Sequence, residues 1–134
     1  MSPLRYDMTI VFEILSLLSS RRDLLFFKES LYIRSMKQHN YFIYITTNHT
    51  KTTLYIGVTN DIARRLNEHF ENRGRPSTFA GRYHCYNLVY YERFSHIDDA
   101  IAREKELKDW NREKKEALIC SINPDWVFLN DEVY

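Results

Sequence analysis

Two runs, Tyr41-Phe42-Ile43-Tyr44-Ile45 and Leu54-Tyr55-Ile56-Gly57-Val58, decide the fold. The first is a continuous β-branched and aromatic run and reads as a strand covered on both faces; the second reads as another strand. Between them Thr46 to Thr52 is polar and carries Asn48, so the chain turns there and the two strands form a hairpin. Next, Asn60 or Asp61 caps a helix whose apolar stripe is Ile62, Leu66 and Phe70. Residues 72–84 hold Gly74, Pro76 and Gly81 and read as a long loop. Asn87-Leu88-Val89-Tyr90-Tyr91 is a third strand. Ser95 or Asp98 caps a helix reaching about Trp110, with Ala100, Ile101 and Leu107 as its stripe. Residues 112–120 make a further helix. Asn123-Pro124 ends it, because the position before proline disfavours helical backbone.

The whole chain has 134 residues and a formal net charge of +1, a length that suits one domain. Such a balance removes the simplest argument for nucleic-acid binding, a strongly basic domain. Cys85 and Cys120 lie far apart and make neither a disulfide framework nor a zinc-ligand cluster, so a reducing, cytoplasmic compartment is expected. Aromatic residues reach 15%, with ten tyrosines, seven of them between residues 41 and 91. Residues 1–35 read as an N-terminal extension, probed by the apolar run Met8 to Leu18. That run is too short to span a bilayer, so no membrane is expected. Asp7 and Glu13 spoil it as a signal peptide, and Ile10, Ile14, Leu17 and Leu18 share the face of an amphipathic helix. Met36, just before the first strand, is expected to be the natural start.

Four features depart from an ordinary core pattern. Gly57 sits inside a strand, where glycine marks a bulge or a close approach of another group to the backbone. Glu104 falls on the stripe of Ala100, Ile101 and Leu107, and a carboxylate on the buried side needs a cationic partner or a metal. Arg65 and His69 stand one helical turn apart, so a phosphate-gripping fork and a proton-carrying imidazole share a face. Tyr44 and Tyr55 lie on the two strands of the hairpin, as a cross-strand aromatic pair or as a source of hydroxyl chemistry.

Together these residues resemble the GIY-YIG nuclease superfamily, and in particular its small stand-alone bacterial members. Tyr55-Ile56-Gly57 is the second half of the name motif, and Phe42-Ile43-Tyr44 is a degenerate first half with Phe42 in place of the usual glycine. Thr59, Arg65 ten residues after Tyr55, and Glu104 on a later helix fall where the family pattern puts them; His69 occupies a position held by His or Tyr. Further matches are Leu88 to Glu92, Arg103 to Trp110 and Asn123-Pro124-Asp125-Trp126. Val58 stands where some members carry Lys. The resemblance covers residues 40–127 and leaves 128–134 as a tail.

It implies an α+β fold: a three-stranded antiparallel sheet flanked by helices, here with an extra N-terminal helix. It also implies one catalytic face and a single Mg²⁺ (or Mn²⁺) bound by Glu104. In this scheme Arg65 stabilises phosphoryl charge, Tyr55 accepts a proton from the attacking water, Tyr44 orients it and His69 assists. Asn123 is the candidate for an asparagine used after the glutamate helix, and Gly57 lets substrate or metal approach the strand. DNA is the implied substrate, with Arg73, Arg75 and Arg82 on a loop free of acids contacting its backbone. With no recognition helix or zinc finger, cleavage is expected to be structure-directed and to serve DNA repair or recombination. The alternative is a non-catalytic nucleic-acid-binding module, or a subunit of a repair complex that docks through residues 1–35.

Overall fold

A computed structural model describes residues 20–37 and 39–134. The chain divides into two compact units between Gln38 and His39. In the first, helix α1 spans Arg21–Lys37 and runs through Met36. Ser20 caps it, its Oγ accepting from the amide of Asp23 at 3.1 Å. The helix expected over Met8 to Leu18 lies outside the described residues. No helix among the described residues is long and apolar enough to cross a membrane.

The second unit runs β1 (Tyr41–Thr47), β2 (Leu54–Thr59), α2 (Ile62–Glu71), α3 (Phe79–Arg82), β3 (Asn87–Phe94), α4 (Ile97–Asp109) and α5 (Arg112–Ile122), followed by a short 3₁₀ turn at Asn130–Glu132. The three strands form one antiparallel sheet in the order β2-β1-β3, the α+β class expected. Its centre is β1, buried at every position after Tyr41, which is why that run alternates so little. The hairpin turn is built by Asn48. Its Oδ1 accepts from the amides of Thr52 and Thr53 at 2.8 and 3.1 Å. Arg112 then clamps the turn to α5, donating to the carbonyls of Thr52 and Lys51 at 2.8 and 2.9 Å.

Strand alternation sorts the core into two layers. Ile43, Ile45 and Ile56 pack with Ala100 and Leu107 of α4 and Ile119 of α5. Phe42 and Tyr44 pack with Ile62 and Leu66 of α2, together with Leu88 and Val133. Phe42, the departure from the name motif, is therefore an ordinary core residue, 4% exposed.

Several local expectations are corrected. Phe70 is not a core member of the α2 stripe: it is 48% exposed, edge-on to Tyr86 with the Arg73 guanidinium 3.8 Å above its ring. Neither Ser95 nor Asp98 caps α4; His96 holds that position without a side-chain bond, and Asp98 and Asp99 lie in the first turn, where their charge complements the helix dipole. The loop over 72–84 contains α3, capped by Thr78.

The Thr46 hydroxyl is buried with no partner among the described residues. Thr46→Val keeps its shape and removes an unpaired polar group, so stability is expected to hold or rise by about 1 kcal/mol. Denaturant unfolding checks this, and a clear fall would mean that the hydroxyl is hydrogen-bonded.

Candidate active site

The site is built around Tyr44. In the β1–β2 ladder Tyr44 faces Gly57 and Thr46 faces Tyr55, so the two tyrosines are diagonal neighbours, with ring centroids 6.1 Å apart. A Cβ on Gly57 would lie 2.5 Å from the Tyr44 hydroxyl and 2.6 Å from Cζ. The gap that Gly57 leaves is thus filled by the ring of Tyr44, not by an approaching nucleic acid or metal, which corrects the role assigned to this glycine. The ladder is also regular there; the one register shift lies between Ile45 and Thr46, on the β3 side.

Helix α2 brings the next two groups. Asp61, its cap, accepts from the Arg64 amide at 3.0 Å. Ile62 and Leu66 dock the helix on the sheet, buried at 3% and 1% exposure. That docking turns Arg65 and His69 toward Tyr44. Arg65 Nε donates to the Tyr44 hydroxyl at 3.2 Å, and His69 Nε2 shares a hydrogen bond with the same oxygen at 2.8 Å. Arg65 Nη1 donates to Glu68 at 3.0 Å, while Nη2 makes no hydrogen bond among the described residues. The His69 ring meets the Tyr55 ring edge-on, at 5.2 Å. Tyr44, Tyr55, Arg65 and His69 therefore form one cluster.

Burial, and then the nearby Tyr55, push the Tyr44 hydroxyl above the ordinary tyrosine range, against a smaller opposing pull from Arg65. Tyr44 stays protonated and is ill suited to take a proton from water. The bond to Tyr44 raises Arg65 further, so its charge is permanent. His69 is pushed down to about 4, first by burial and then by the charge of Arg65, with Glu68 opposing. Its imidazole is neutral at neutral pH.

Glu104 is placed differently. Its side chain is 14% exposed and pairs with Lys108 Nζ at 2.5 Å, which supplies the cationic partner that its place on the stripe calls for. Ala100 and Leu107 of the same helix pack on Ile43, Ile45 and Ile56, the layer opposite Tyr44. No hydrogen bond joins Glu104 to the Tyr44 network among the described residues. Glu104 thus stands on the helix that covers the other layer of the sheet. Arg103 anchors this part of α4: its Nε and Nη2 donate to both oxygens of Glu92 on β3, at 3.1 and 2.9 Å. Burial alone would raise the Glu92 carboxyl, but bonds from Arg103 and Tyr90 hold it below the usual range.

Asn123 also departs from its assigned role. It is 7% exposed, donates to the carbonyls of Val89 and Val127 at 3.0 and 2.9 Å, and accepts from the Val127 amide at 3.0 Å. Those bonds tie the C-terminal segment to β3. Arg73, Arg75 and Arg82 are exposed, as expected for a contact surface. Arg73 and Arg82 are held by the carbonyls of Phe70 and Pro76, at 2.7 and 3.2 Å.

Sequence reasoning missed two neighbours of the cluster. Glu68, three residues after Arg65, was legible from helical spacing. Phe79, lying against Tyr55 on α3, was not.

No group of three or more His, Cys, Asp or Glu converges among the described residues. The donor set offers one well-shielded carboxylate, Glu104. That fits Mg²⁺, which keeps most of its waters and is commonly held by one or two carboxylates plus substrate phosphate.

Residues 40–117 match the family described as the GIY-YIG catalytic domain. The chain is similar to a UPF0213 protein of Bacillus pumilus, 34% identical over 63% of this chain and 83% of the relative. It is similar to another from Limosilactobacillus reuteri, 31% identical over 71% and 95% of the two chains. Among solved structures it resembles the solution NMR structure of a UPF0213 protein from Bacillus halodurans, with 26% identity, coverage of 65% of this chain and 89% of that one, and a TM-score of 0.43. The extent of the domain match, over the two tyrosines, the arginine, the histidine and the glutamate described above, shows that this chain belongs to the GIY-YIG catalytic-domain family, a nuclease superfamily, as one of its small UPF0213-type proteins.

Proposed function

We propose that the protein is a divalent-metal-dependent endonuclease that hydrolyses DNA phosphodiester bonds at structured sites, in DNA repair or recombination in the cytoplasm. The observation that carries this reading is the bonding of Arg65 and His69 to one buried tyrosine hydroxyl beside Tyr55. Such bonding fixes a permanent cation and a neutral imidazole before substrate arrives, the pre-organisation that phosphoryl transfer rewards.

Arg65 binds the scissile phosphate through its outward Nη2 and stabilises the charge that develops on the phosphoryl oxygens. Tyr44 is a positioning residue, aligning Arg65 and His69 through its hydroxyl. Tyr55, half-buried beside them, accepts the proton of the attacking water at its Oη, with neutral His69 as the alternative acceptor. Glu104 would hold Mg²⁺ or Mn²⁺, which supplies Lewis-acid stabilisation of the phosphoryl oxygens and the leaving oxygen when bound.

Substitution separates the two bases. Tyr55→Phe removes the acceptor oxygen and keeps the ring beside His69, so cleavage is expected to fall about 100-fold with the fold unchanged. With His69 as acceptor, the neutral imidazole is lost only as the pH falls through about 4, so Tyr55→Phe would cut nearly as fast as the unaltered chain, at a rate that is flat from pH 7 to 9.

A binding module without hydrolysis is the second reading, favoured by the engagement of Glu104 with Lys108 in the opposite layer. Incubation of the full chain with branched, flapped, nicked and single-stranded DNA, in Mg²⁺, Mn²⁺ or chelator, separates the readings. Metal-dependent cuts in at least one substrate are expected. Intact DNA despite tight binding would favour the module, and cutting that survives chelation would remove the metal.

A further inference from the structure

A row of aromatic rings leads from the Tyr44 cluster to the surface. The Tyr55 ring meets His69 edge-on, and the Phe79 ring lies 6.4 Å from that of Tyr55 with the planes only 26° apart. Tyr83 follows, 4.7 Å from Phe79. The two outer rings are left in water: Phe79 is 52% exposed and Tyr83 43%.

This exposure is held rigidly. Phe79 opens α3, a helix of four residues that needs outside support. Thr78 caps it by accepting from the Gly81 amide at 3.0 Å, and Ala80 anchors it at 3% exposure. Gly81 packs so closely that a Cβ there would sit 2.6 and 2.7 Å from the carbonyls of Arg75 and Asn72. A short helix braced this tightly presents a large apolar ring to solvent, where an unpartnered ring forgoes the gain of burial.

The surroundings indicate what covers it. From Asn72 to Tyr91 the chain carries Arg73, Arg75 and Arg82 and no acidic residue. Exposed rings among exposed arginines complement a ligand with flat apolar faces and a repeating anion, which is a nucleic-acid strand. In a continuous duplex the base faces are hidden by stacking. Flat rings can therefore grip only a base that is unpaired or splayed out. Their continuity with Tyr55 places that base near the phosphate bound by Arg65.

On the proposed endonuclease function, and resting on it, we propose that Phe79, backed by Tyr83, is a stacking platform for an unpaired base of the DNA strand being cut. The platform selects strands with an exposed nucleotide over continuous duplex.

The test measures binding of the full chain in chelator, so that no strand is cut. A single-stranded oligonucleotide and the matching blunt duplex are titrated by fluorescence anisotropy. The unaltered chain is expected to prefer the single strand. Phe79→Ala is expected to weaken single-strand binding about tenfold, the size of one lost base–aromatic stack, and to shift duplex binding less than about twofold. Phe79→Trp restores it. The second readout is 2-aminopurine placed successively along the single strand: its emission falls when it stacks, and at one or two positions the quenching is expected to vanish in Phe79→Ala. Because duplex binding and Phe79→Trp report on folding, a misfolded variant is recognised as such, and the quenching scan on the Trp variant still decides the question. Single-strand binding and quenching that are unchanged in Phe79→Ala would overturn the platform while leaving the endonuclease reading intact. An unaltered chain that binds neither DNA would overturn both.

Discussion

Replacing Arg65 by alanine is expected to slow DNA cleavage by about 100- to 1,000-fold, the loss that follows removal of one pre-organised donor at a developing oxyanion. The fold should survive, because the Arg65 side chain is 40% exposed and its Glu68 partner 43%, and ion pairs this open to water add little stability. Within the protein its principal buried contact is the Nε bond to Tyr44, and that hydroxyl keeps His69 as a partner when Arg65 is removed. Arg65→Lys separates charge from geometry. Lysine keeps the charge as a point but lacks the planar fork that bonds Tyr44 through one nitrogen and presents another outward. It is expected to recover much of the DNA affinity and little of the rate. Single-turnover cleavage at saturating protein, beside thermal unfolding of each variant, checks both statements. A large loss of melting temperature in Arg65→Ala would instead make the residue structural.

Gly57→Ala is expected to have the other large effect, for a reason that runs against intrinsic propensity. In a strand interior glycine is less favourable than alanine by roughly 0.5–1 kcal/mol, so propensity alone expects a gain. The new Cβ, however, would sit 2.5 Å from the Tyr44 hydroxyl and 2.9 Å from Cε1, well inside contact distance. Tyr44 is completely buried, and its hydroxyl is held by both Arg65 and His69, so a shift of the ring breaks those bonds. Overlap should dominate, with a net destabilisation of about 1–3 kcal/mol. As Tyr44 shifts, Arg65 and His69 lose their common anchor, so cleavage should fall at least about tenfold beyond any loss of folded protein. A cycle with Tyr44→Leu checks the cause: with the ring gone, adding the methyl at position 57 should cost much less than it does alone. Additive penalties would place the strain elsewhere.

These expectations follow the same division that governed what the sequence made legible. The strands were plain because β1 is buried on both faces and its residues are β-branched or aromatic throughout. Arg65 and His69 were legible as a pair because helical spacing fixes which residues share a face, and Ile62 and Leu66 fix which face docks. The same rule put Glu104 on the apolar stripe of α4, but helical spacing does not say which side of the sheet that stripe covers. Here it covers Ile43, Ile45 and Ile56, away from Tyr44. Gly57 was recognised as a point of close approach, yet the approaching group is the ring across the ladder, whose identity depends on register. Helix α3 was not legible because its four residues have too few bonds of their own and are held by contacts of Gly81 with Asn72 and Arg75. Asn123 read as a site residue by family position, while its three backbone bonds can be seen only once the C-terminal segment lies along β3.

The most direct test compares cleavage of one flapped DNA substrate by the unaltered chain, by Arg65→Ala and by Glu104→Ala, all with Mg²⁺ and all shown to be folded. Cutting by the unaltered chain that falls at least about 100-fold in each variant is the expected result. Cutting that persists undiminished in both variants would contradict the assignment of hydrolysis to these residues.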